Sequence, residues 1–188
     1  MTADRVVSAV LARAASRARA ERAQKDAVRL SKDSFSYFLF EFVYTVDEHD
    51  PLVHSKRFPR YPYLEILARV LEDERRIAIE KSRQVMASWL CCAHALWVAL
   101  FRPNALCLVQ SKKEEDAADR LNRIYQIYYR LPEFFRERFP INLNTGKPHG
   151  QLYTELYVNW HPDDAELFGL EADDRFRTLV ETKSPRSK

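Results

Sequence analysis

The stretch Arg76-Ile77-Ala78-Ile79-Glu80-Lys81-Ser82-Arg83-Gln84-Val85-Met86-Ala87-Ser88-Trp89 decides how this chain reads, because a short apolar strand pattern runs there into a polar loop that opens an apolar helix. A backbone turning from the carboxyl end of a strand into a helix aims several unpaired amide N–H groups at one point. The positive end of the helix dipole faces the same point, so such a junction is a ready place for phosphate.

Set against the phosphate-loop pattern GxxxxGK followed by Ser or Thr, the eight residues Lys81–Ser88 match only at the final hydroxyl. Lys81 stands at the first glycine, Met86 at the second and Ala87 at the lysine. The chemistry can still be assembled. A loop that wraps a phosphate brings its ends together, so Lys81 can point its ammonium at the β and γ oxygens from the strand end. Ser88 can hold Mg²⁺ through its hydroxyl, and Arg83 offers a second cation. Ser82, Gln84, Val85, Met86 and Ala87 supply the remaining loop backbone, and Trp89 follows in the first helical turn. Met86 is the position where glycine usually provides a positive φ.

Downstream, Trp89–Phe101 is apolar almost throughout, as expected of a helix buried against a parallel sheet, and Arg102-Pro103-Asn104 ends it. Ala105–Val109 reads as a second strand. Lys112–Leu131 reads as an amphipathic helix with Ser111 as N-cap, Glu114 in capping-box position, and Ala117, Leu121, Ile124 and Tyr128 facing inward. Strand, phosphate loop, helix, strand, helix predicts an α/β fold: the opening half of a doubly wound parallel sheet of the P-loop NTPase kind, preceded by N-terminal helices.

The two segments RRIAIEKSRQVMASW (75–89) and ALCLVQSKKEEDAADRLNRIYQIYYRLP (105–132) resemble the ATPase domain of the large terminase subunit of tailed bacteriophages. The resemblance runs from about residue 58 to 132 and extends in weaker form back to about 34. That family often carries its phosphate-loop lysine at the start of the loop. The resemblance implies ATP and Mg²⁺ as cofactors, with Lys81 and Arg83 acting on the phosphates and Ser88 on the metal. It also implies double-stranded DNA as the substrate of packaging, a portal protein and a small terminase subunit as partners, a homo-oligomeric ring, and the host cytoplasm as the site of action. In the family, the segment before the first strand lies beside the adenine and often supplies a glutamine. Here an aromatic, Phe58, Tyr61 or Tyr63, stands in that region, either to stack on the base or to pack as an ordinary hinge.

Members of the family continue into a strand ending in Asp-Glu, a coupling motif and a nuclease domain, none of which is recognisable here. Asp163-Asp164 follows a proline that would break a strand, and Glu181 follows too short an apolar run. The chain is therefore expected to bind nucleotide with little turnover. The alternatives are a truncated, non-catalytic prophage relic or interaction module, and a helicase or another packaging-type ATPase.

The remainder sets bounds. At 188 residues, 46% hydrophobic and 30% charged, the composition is that of an ordinary globular protein, without an apolar run long enough to span a membrane. The absence of an apolar signal core points to the cytoplasm. The net charge of +3 is an N-terminal property: residues 1–32 hold eight Lys/Arg against three acids, which leaves 22 basic and 24 acidic residues for the rest. Four segments follow: a basic helical arm (1–32), a helical and loop segment leading to the site (33–75), a partial ATPase core (76–160) and a polar tail (161–188). In the arm, Val7, Val10, Leu11, Ala14 and Ala18 share one helical face, and Arg13, Arg17 and Arg19 are either solvated or set for phosphates or an acidic protein surface. Phe35, Phe38, Leu39, Phe42 and Val43 predict an aromatic core helix capped by Ser31 or Asp33. The run 47–62 reads as a loop whose Asp47, Glu48, His49 and Asp50 form a solvated turn. Cys91, Cys92 and Cys107 read as buried thiols and His94 as a core histidine. Leu152–Trp160 alternates like a strand.

Overall fold

The structure is a computed structural model that describes residues 3–46, 55–82, 85–102, 105, 107–111, 114–146 and 153–158. The chain opens with α1 (Ala3–Asp33), alanine-rich and free of Gly and Pro, hence a single uninterrupted helix. At 1.5 Å per residue it is about 46 Å long. Its residues 11–26 are exposed, and only its last turns, through Val28 and Ser31, enter the core. Ser34 separates it from α2 (Phe35–Phe42): in extended conformation, its Oγ accepts the N–H of Tyr37 at 3.2 Å. The cap is thus Ser34 rather than Ser31 or Asp33, because α1 runs on to Asp33. Glu72 of α3 (Pro62–Asp73) strengthens the junction by accepting the Ser36 N–H at 2.9 Å.

The octapeptide FSYFLFEF of α2 has more apolar surface than one face can hide, so it sits inside the molecule. Phe38 packs edge-to-face on Phe101 of α4 (Ala87–Phe101) and on Phe135 of α6 (Glu133–Arg138), with centroids 5.8 and 6.0 Å away. Phe139, just after α6, closes the cluster against Phe101 at 5.4 Å. Each fully buried phenylalanine of this kind contributes about 1.5–3 kcal/mol. On the other side of α4 lies α5 (Glu114–Arg130), which inserts Ile124, Ile127 and Tyr128. Ile124 and Tyr128 were expected on that face and Leu121 is half-buried there; Ile127 adds to them.

The strands are few and antiparallel. β1 (Tyr44–Thr45) pairs with β2 (Lys56–Arg57), within a run expected to be loop, and β3 (Ile141–Gly146) pairs with β4 (Tyr153–Val158), inside the predicted 152–160 strand. This overturns the expected α/β class with its doubly wound parallel sheet: among the described residues the molecule is mainly helical and has no parallel pair. Neither 76–80 nor the described part of 105–109 is a strand. The physical reason is where α4 finds cover. Its apolar surface is buried by α2, α3 and α5, helix on helix, and neither of the two expected strand segments has a strand partner among the described residues. Without a partner ladder, extended backbone is not a sheet. No helix among the described residues is long and apolar enough to cross a membrane.

Candidate functional site

After α3 the chain runs from Glu74 to Ser82 outside any helix or strand, with a bend at Arg75. Ile79 and Lys81 face a cleft, while Ala78 and Glu80 are exposed and do not line it. The chain then enters α4 through Met86, which takes φ 57° and ψ −1°, the one non-glycine with positive φ among the described residues. For a residue with a Cβ, that region costs about 1–2 kcal/mol, and such strain persists only where the surroundings impose it. The left-handed turn sets the first helical hydrogen bond, Leu90 N–H to Met86 O at 3.0 Å. The N–H groups of Ala87, Ser88 and Trp89 thereby lack helical partners, and no side chain caps them.

These features open on a cleft of about 220 Å³. Ala87, Ser88, Cys91, Cys92 and Ala95 of α4 form one side of it; Arg120 and Ile124 of α5 and the non-helical residues Ile79, Lys81 and Val109 complete it. It is smaller than the roughly 300–1,000 Å³ of a pocket that encloses a drug-sized ligand. The polar equipment is two cations, Lys81 and Arg120, and the Ser88 hydroxyl, against an otherwise apolar and thiol lining. Lys81 is exposed, its Nζ donating to the Ser82 carbonyl at 3.4 Å. Burial pushes the Cys91 thiol up, while the charges of Lys81 and Arg120 pull it down. Cys92 donates to the Arg120 carbonyl at 3.7 Å, and burial pushes its thiol up to about 11. Neither is a poised nucleophile.

The fold brings Lys81, Ala87 and Ser88 to one cleft and leaves other expected members outside it. Ser82 is exposed on the loop; Val85 and Met86 are half-buried, and the Met86 side chain packs against the core without lining the cleft. Trp89 is buried, with the Arg123 guanidinium 5.4 Å from its ring, and Arg123 is held in turn by Asp119 at 3.2 Å. Tyr63 lies on α3, half-exposed and stacked on Tyr61 at 5.7 Å, and does not line the cleft. Arg83 and Gln84 lie outside the described residues, as do the acidic turn 47–50, Lys112, Lys113 and the tail 161–188. Among the described residues no group of His, Cys, Asp and Glu could hold a metal ion, so Ser88 is the one expected metal ligand placed at the cleft. Mg²⁺ commonly takes most of its ligands from phosphate and water.

Reading the sequence missed Arg120. The signal was there: Arg120 is four residues before Ile124, on the edge of the inward face of α5. The cysteines also differ from expectation. Cys92 is buried, whereas Cys91 and Cys107 are exposed. His94 does sit in the core region, against the rings of Phe35 and Trp97, which also touch each other, and burial lowers its pKa. Compared with known proteins, the chain matches no family model, no curated protein and no solved structure.

Proposed function

We propose that the chain binds the polyphosphate of ATP, with Mg²⁺, at the loop Lys81–Ser88, in the manner of the ATPase portion of a large terminase subunit. The observation that carries this reading is Met86. A strained left-handed residue heads α4 at the place where a phosphate loop uses glycine, and it leaves the first N–H groups of the helix without helical partners, at the end of α4 where Lys81 and Ser88 line the cleft. The KSRQ and QSKKEEDA segments supply the resemblance to terminases. With that reading come double-stranded DNA, a portal protein and a small terminase subunit as partners, a ring of subunits, and the host cytoplasm. No carboxylate lines the cleft among the described residues, so nothing there orients a water molecule, and turnover by this chain is slow. Titration of the chain with labelled Mg·ATP tests the reading: saturable binding lost in Lys81→Ala supports it. Absence of binding, or brisk hydrolysis undiminished in Lys81→Ala, overturns it.

A second reading, an interaction module, draws on α1. Its long exposed stretch carries Arg13, Arg17, Arg19, Arg22 and Lys25 against Glu21 and Asp26, and Glu21 already pairs with Arg17 at 3.2 Å. DNA binding or subunit capture that is unaffected by Lys81→Ala and lost when Arg13, Arg17 and Arg19 are replaced together by alanine would favour it.

A further inference from the structure

The cleft holds two cations from two different elements. Lys81 reaches it from the segment before α4, and Arg120 reaches it from α5. Both line the same small cleft, together with Cys91. The neighbouring arginine, Arg123, is engaged by Asp119 and Trp89. Arg120, by contrast, has no ion pair or side-chain hydrogen bond among the described residues, and no carboxylate shares the cleft with it. A half-buried guanidinium facing a mostly apolar lining is an uncompensated charge, and bringing a second cation to the same place adds repulsion. An anion seated between the two relieves both effects. Arginine suits the task because its planar fork grips two phosphate oxygens at once.

We propose that Arg120 is a direct phosphate ligand in this cleft, and that the pair Lys81 and Arg120 selects polyphosphates over single phosphates. This deepens the nucleotide reading and rests on it. The ligand, held by the loop at one end of its charge and by α5 at the other, also ties the loop to α5. The ligand class is a chain of two or more phosphates, whether on a nucleoside or free.

The experiment uses the full chain and isothermal titration with Mg·ATP, inorganic tripolyphosphate and orthophosphate, on the wild type, Lys81→Ala, Arg120→Gln and Arg120→Lys. Because Arg120 gives up no ion pair, Arg120→Gln should melt with the wild type, which separates lost binding from lost fold. The expected result is a loss of about tenfold or more in affinity for ATP and tripolyphosphate in Arg120→Gln, partial recovery in Arg120→Lys, and no measurable orthophosphate binding in any variant. Wild-type affinity in Arg120→Gln, with binding lost in Lys81→Ala, overturns the role of Arg120 and leaves the nucleotide reading standing. Tripolyphosphate binding that needs Arg120, without tighter binding of ATP, supports Arg120 and sinks the nucleotide. No binding of either polyphosphate by the wild type overturns both.

Discussion

The indole Nε1 of Trp97 donates to the backbone carbonyl of Ser31 at 2.6 Å, in a buried setting, and thereby joins the end of α1 to the middle of α4. Ser31 lies in the last turn of α1, where a carbonyl has no helical donor of its own, so the bond serves both the arm and the core.

Trp97→Phe removes that donor and leaves the Ser31 carbonyl buried. The expected loss is roughly 1–3 kcal/mol of stability, read as a lower urea midpoint, with the cleft intact and polyphosphate affinity unchanged. A variant that keeps the wild-type midpoint would show that the bond carries no net stability.

Met86 makes opposite demands on its replacement. Glycine takes the left-handed region freely but gives up the packing of the Met86 side chain, whereas valine both loses packing and resists positive φ. Met86→Val should therefore be less stable than Met86→Gly by about 1–2 kcal/mol. Met86→Gly should retain nucleotide affinity, because the backbone amides keep their direction. Equal stability of the two variants would contradict the left-handed geometry at this position.

Ser88→Ala keeps the helix but removes the hydroxyl that lines the cleft. Its effect should depend on magnesium: ATP affinity falls in the presence of Mg²⁺ and changes little in EDTA. A loss of equal size under both conditions would assign Ser88 to phosphate rather than metal.

Two groups of α4, His94 and Cys92, contribute to the pH dependence of stability at opposite ends. His94 is held below its ordinary 6.5 by burial, so the unfolded chain takes up its proton first as pH falls. Stability is present above pH 6.5 and declines below it, and His94→Gln should flatten that decline. Cys92 is pushed from 9.0 up to about 11, so the unfolded chain loses its proton first as pH rises. Between about pH 9 and 11 the Cys92 contribution should fall by an amount on the order of 2–3 kcal/mol, and Cys92→Ala should reduce the slope, leaving the share of Cys91, Cys107 and Tyr128, which burial also pushes up. Denaturant melts across both ranges check the signs.

Local signals were legible where the side chains alone impose them. The spacing of Phe35, Phe38, Leu39 and Val43 placed a buried helix, the apolar run after Trp89 placed α4, and Leu121, Ile124 and Tyr128 marked the inward face of α5, whereas its packing on α4 came from the structure. The segments around Ile79 and Val109 were read as parallel strands because short apolar runs look alike whether or not a neighbour pairs with them. β2 escaped notice, since Lys56 and Arg57 carry no apolar alternation; they pair with β1 through backbone and through two side-chain bonds, Arg57 Nε to the Tyr44 hydroxyl at 3.4 Å and Thr45 Oγ1 to the Lys56 carbonyl at 3.5 Å. For α6, the Phe134, Phe135 and Phe139 pattern was present but too short to separate from a loop.

By itself the sequence determined α1, α2, α4 and α5 as helices, the inward residues of α2 and α5, the basic character of the arm, and the junction of Lys81 and Ser88 at the head of an apolar helix, because periodicity and charge act within a few residues of the chain. Tertiary structure alone decided that α4 is covered by helices instead of a sheet, that Met86 turns left-handed with its side chain toward the core, and that Arg120 arrives beside Lys81. Those outcomes depend on which surfaces far apart in the chain bury one another, and no local pattern encodes that competition.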